Sequence, residues 1–156
     1  MPRIGVLRPT SADNPYTESF RQGLRDLGYV EGRNIHIEYR YSEGHQERLP
    51  ALAEDLVALK LDVILTDGPG IPAVMRVTNT IPIVFGVTGD PVADGVVASL
   101  ARPGGNVTGL SLMAPLVNTK RLGLLKELVP QATRFAVLWN EARPAHRAEV
   151  DELTRA

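Results

Sequence analysis

The chain of 156 residues contains no cysteine. That excludes disulfides, thiolate-bound metals, cysteine nucleophiles and two-cysteine proton transfer. A domain of this length buries roughly 70% of its unfolded surface, so it needs no covalent staple. Charge of one sign is also missing. Seventeen Lys and Arg face eighteen Asp and Glu, for a net charge of −1, and the basic residues are scattered. A nucleic-acid partner is therefore not expected. No apolar run approaches the roughly 18 residues of a membrane span. No charged-then-apolar leader precedes the strand-like "RIGVL", so the chain reads as soluble and without an export signal.

Nucleotide signatures are lacking too. The first strand-to-helix turn, "LRPTSADNP", has no glycine where a dinucleotide fingerprint needs three. "GGNVTG" has no Lys-Ser/Thr ending and does not fit a phosphate loop. His36, His45 and His146 lie far apart without metal spacing, and no Ser-His-Asp set can be placed on the ligand side around them except through His45 beside the second strand. Neither a cofactor nor a metal is expected, and no catalytic residue is assigned.

What is present is alternation. "RIGVL" (3–7) reads as a strand. A helix follows from Asn14 or Asp13 to Gly28, with Tyr16, Phe20, Leu24 and Leu27 on one face. "NIHIEYRY" (34–41) reads as an edge strand and 47–60 as a helix with Pro50 in its first turn. "DVILT" (62–66) is a fully buried strand, followed by a helix opened at Pro72. Strand 81–87, helix "VADGVVASLA", a strand around 107–110, helix 117–130, strand 134–140 and a last helix complete the series. Strict alternation predicts an α/β fold: a doubly wound parallel sheet, three-layer αβα, flavodoxin-like, with strand order 2-1-3-4-5.

Ligands of such sheets bind beyond the carboxyl ends of the strands. The loops there supply Thr10 and Ser11 after strand one, Asp67 and Gly68 after strand three, and Thr88 and Asp90 after strand four. Short polar groups and helix N-termini of this kind suit the carboxylate and amine of a zwitterion. Asp67 is open to three roles: helix cap, acceptor for a ligand amine, or the phosphoacceptor of a receiver-like signalling domain. The third is disfavoured, because Arg8-Pro9-Thr10 stands where a receiver carries an acidic pair. Asp90 before Pro91 is open to capping and to lining a cleft. Trp139 and Asn140 close the sixth strand, and Trp139 would be core or an aromatic wall.

Several segments together resemble one family. They are "FRQGLRDLGYVEGRNIHIEYRYSEG", "RLPALAEDLV", "DVILT", "TIPIVF", "GDPVADGVVASLARPGGNVTGLS", and "KRLGLLKELVP" with "RFAVLWN". The chain is similar to the substrate-binding proteins of ABC importers, in the group with a type I periplasmic-binding fold whose better-known members bind aromatic amino acids. The resemblance implies two lobes around a small-molecule ligand, no chemistry performed on it, a periplasmic or other extracytoplasmic location and membrane permease partners. Family chains are about twice this long, as two lobes require. The turn Asp67-Gly68-Pro69-Gly70-Ile71-Pro72 also departs from the plainer Thr/Gly/Ala turn of relatives. The resemblance implies residues 1–110 as an N-terminal lobe, 111–116 as a hinge crossing and 117–156 as the start of an incomplete second lobe. Apolar Leu122, Leu125 and Val137 would then drive self-association, unless the fifth helix folds back to complete a single flavodoxin-like domain. A ligand-sensing domain of a regulator shares the fold and stays open as an alternative.

Overall fold

A computed structural model describes residues 1–112, 114–139 and 144–155. Five strands form one all-parallel sheet: β1 (Arg3–Arg8), β2 (His36–Tyr41), β3 (Val63–Thr66), β4 (Ile83–Thr88) and β5 (Val107–Ser111). Their order is β2-β1-β3-β4-β5, the flavodoxin-like order that alternation predicts. The helices are α1 (Pro15–Asp26), α2 (Leu49–Ala58), α3 (Gly70–Val77), α4 (Ala114–Leu128) and α5 (Pro144–Arg155).

Side chains alternate across each strand, and both faces are apolar. One face carries Leu7, Ile64, Ile83 and Phe85 against Leu49, Ala53, Leu56, Ile71 and Val74 of α2 and α3. The other carries Ile4, Val6, Ile37 and Leu65 against Phe20 and Leu24 of α1. The three layers follow directly. Helices start and stop where local chemistry dictates. The Asn14 side chain accepts from the Tyr16 amide at 2.9 Å, Pro15 occupies the first turn, and Gly28 leaves the helix at φ +83°. At β5, Gly109 is the residue the sheet permits: a Cβ there would land on the Phe85 carbonyl and ring.

Four expectations need correction. Tyr16 and Leu27 are exposed, because the buried stripe of α1 runs through Thr17, Phe20 and Leu24 and leaves both on its flank. The segment 92–101 is not a helix. Asp90 Oδ1 accepts from the Val92 and Ala93 amides, starting one turn, and Gly95 at φ +68° breaks it. The Val96 and Val97 amides then both fold back onto the Pro91 carbonyl. The segment expected as strand 134–140 forms no ladder through residue 139, and no strand among the described residues pairs with it. And α4 packs against α5 rather than folding back to complete the sheet domain. Leu124, Leu125, Leu128, Val137 and Leu138 consequently stay exposed.

Candidate functional site

The carboxyl ends of β1, β3 and β4 are neighbours in the sheet, so the loops carrying Thr10, Ser11, Asp67, Gly68, Thr88 and Asp90 share one rim. Thr10 and Ser11 are exposed, and the Thr10 hydroxyl accepts from Asn14 Nδ2 at 2.8 Å. Asn14 thus caps α1 with its oxygen and fixes Thr10 with its nitrogen, tying the first loop to the helix it precedes. Gly68 takes φ +44°, a left-handed conformation that admits glycine cheaply, and its carbonyl receives the Ile71 amide. Thr88 is buried. Its hydroxyl lies 3.5 Å from Asp94 Oδ2, and its carbonyl accepts the Leu112 amide at 2.9 Å. Ser111 donates to the Gly89 carbonyl at 2.9 Å, so the segments leaving β4 and β5 are laced together. Asp90 is half-buried and serves as the cap described above.

Asp67 is not the cap of α3. The residue before that helix is Pro69, and no side chain caps it. The Asp67 carboxylate instead pairs with Arg8, which ends β1 one strand away. Arg8 is buried and Asp67 partly so, with side-chain exposures of 5% and 18%. Arg8 points to the α1 side of the sheet by alternation from Ile4 and Val6. There Gly86 of β4 keeps the surface open: a Cβ on it would lie 4.0 Å from Arg8 Nη1. Arg8 Nε has no hydrogen-bond partner among the described residues. Its register partner Tyr41 stacks on Tyr39 at 6.0 Å, and burial pushes the Tyr41 hydroxyl up, against the weaker opposing pull of Arg21 and Arg8. Tyr39 in turn accepts from Arg21 Nε at 2.9 Å.

Sequence reading missed Arg8 as part of this rim. The available signal was an arginine ending an otherwise apolar strand, since charge is rarely buried there unpaired. A receiver role for Asp67 gains no support from these surroundings. Its carboxylate faces a cation, and no group of three metal-ligating side chains comes together among the described residues. Trp139 lies apart from the rim. It lines a groove of about 1000 Å³ between α4, α5 and residues 132–138, together with Leu122, Leu125 and Phe135. Asn140 lies outside the described residues. Among the described residues, no helix is long and apolar enough to cross a membrane.

A parallel sheet with polar loops gathered at its carboxyl rim is the architecture of a ligand-binding α/β lobe. The family model for ABC transporter substrate binding proteins matches residues 3–156, and the chain belongs to that family. It is 34% identical over 137 residues to a tyrosine-binding protein of Clostridioides difficile (strain R20291), covering 87% of this chain and 39% of that one. Two solved structures align over 99% of the chain and 52% of their own. A conserved domain protein of Vibrio cholerae O1 biovar El Tor str. N16961 has TM-score 0.84 and 30% identity. An ABC domain from Streptococcus pneumonia in complex with L-Trp has TM-score 0.82 and 26% identity. The chain therefore spans about half or less of each relative.

Proposed function

We propose that the chain is the N-terminal portion of the solute-binding component of an ABC importer. It holds a small molecule, in the class of aromatic amino acids, without catalysing a reaction on it. Residues 1–110 form one lobe, 111–116 the crossing, and 117–156 the start of a second. The working location is outside the cytoplasm, where the loaded protein docks on membrane permease subunits. Thr10, Ser11, Asp67, Gly68, Thr88 and Asp90 contribute this lobe's half of the cleft. Trp139 and Asn140 belong to the portion beyond the crossing. The observation that most supports the reading is the likeness to a chain solved with L-Trp, which this chain matches over nearly its whole length.

Half a cleft lacks closure and water exclusion, so affinity is expected to be weak, with Kd on the order of 1 mM. Titration of the 156-residue chain with a panel of amino acids, followed by calorimetry and NMR, measures this. Submicromolar binding by the chain contradicts the half-cleft reading. Absence of binding by a two-lobed, longer form contradicts the amino-acid assignment.

The exposed Leu124, Leu125, Leu128, Val137 and Leu138 support self-association of the chain when it stands alone. Light scattering after size-exclusion chromatography should give a mass above 17.0 kDa that rises with concentration. A monomer that binds no hydrophobic dye ends this part of the reading.

A further inference from the structure

The Arg8–Asp67 pair says more about the ligand than the rim as a whole. Its two members are unequally buried: the Arg8 side chain is 5% exposed and the Asp67 side chain 18%. Arg8 holds Asp67 Oδ2, while Oδ1 takes no hydrogen bond among the described residues. Asp90, by contrast, already spends Oδ1 on two backbone amides. The arginine is itself seated by the sheet beside Gly86, where a Cβ would make only ordinary contact with Nη1, at 4.0 Å. What the rim offers to a ligand at this point is therefore an oriented, uncommitted carboxylate oxygen at the junction of β1 and β3. The pair is neutral as a whole, but Oδ1 offers a ligand carboxylate only another acceptor. An ammonium or other charged N–H donor would meet a pre-aimed acceptor, and a charge-assisted bond of this kind is the strong sort.

We infer that Asp67 receives the ammonium group of the bound molecule through Oδ1, and that Arg8 is a positioning residue that fixes the carboxylate for it. The ligand class is thus a primary amine, with the ligand's own acid group placed away from this junction. This rests on the small-molecule reading above and adds a pole to it. Pinning the carboxylate beforehand lowers the ordering cost of binding, which is how Arg8 acts on the ligand without touching it.

The test uses three probes of one shape: L-tryptophan, tryptamine, which keeps only the amine, and indole-3-propionate, which keeps only the acid. NMR titration of the chain reads weak binding of each. Tryptophan should bind roughly tenfold or more tighter than indole-3-propionate, the worth of one hydrogen bond to a charged group. Asp67→Asn should weaken tryptophan and tryptamine and leave indole-3-propionate unchanged. Arg8→Lys should keep most of the preference for amines, and Arg8→Met should lose it although Asp67 remains. A merely structural Arg8 would weaken all three probes alike. Should Asp67→Asn or Arg8→Met fail to fold, the wild-type ratio and Arg8→Lys still decide. Equal binding of tryptophan and indole-3-propionate by the wild type overturns the assignment and leaves the small-molecule reading intact. Binding of none of the three overturns both.

Discussion

Phe85→Ala should cost about 3–5 kcal/mol of folding stability, the range for truncating a buried aromatic ring. Phe85 is 2% exposed in the middle of β4, in the cluster that joins the sheet to α2 and α3. Its ring and carbonyl also lie against Gly109, the β5 residue paired with it. Truncation therefore opens a cavity on the core side and removes the surface on which the edge strand rests. The void cannot be filled by relaxation of Gly109, which has no side chain to move. A domain of ordinary stability has about 5–15 kcal/mol in total, so the variant should lose a large share of it. Urea unfolding of the wild type and variant measures the loss. Leu27→Ser makes the control, because Leu27 is 76% exposed and its replacement should change stability by no more than about 0.5 kcal/mol. A loss below about 1 kcal/mol for Phe85→Ala would mean that the β4–β5 side of the core is loosely packed.

The same residues explain how far the sequence could be read. β4 announces itself because "IPIVF" is apolar on both faces, and the βα alternation then favours a parallel sheet, for which the observed order is one of the common ones. Capping by Asn14 and helix arrest at Gly28 are local, and local chemistry is written in adjacent letters. The segment "VADGVVASLA" misleads for a related reason. Its apolar spacing fits a helix, while one glycine at φ +68° decides against it, and a dihedral angle is not visible in composition. Strand 134–140 misleads because a strand is a property of two segments, and its partner is not among those described. The loops of the candidate rim were legible from topology alone. The Arg8–Asp67 pair was not, since it joins residues 59 positions apart, and Asp67 looked from its neighbours like a helix cap.

That pair also carries the second large expected effect. Asp67→Leu leaves the Arg8 guanidinium buried and without its counter-charge, and should destabilise by about 3 kcal/mol, the cost of breaking a buried pair from one side. Arg8→Met should cost less, because the stranded Asp67 carboxylate is the more exposed member and can turn to water. Removing both together, in Arg8→Met/Asp67→Leu, leaves no charge to strand. The double variant should then recover most of the loss, to within about 1 kcal/mol of the wild type. Thermal and urea unfolding of the four proteins close the cycle. High salt should change the coupling little, since a pair this enclosed is poorly screened. Additive losses would show that the two residues do not act as a unit, and would remove the ground for Arg8 as the residue that aims Asp67. If the double variant is as stable as expected and has also lost its preference for amines, the pair serves the ligand rather than the fold.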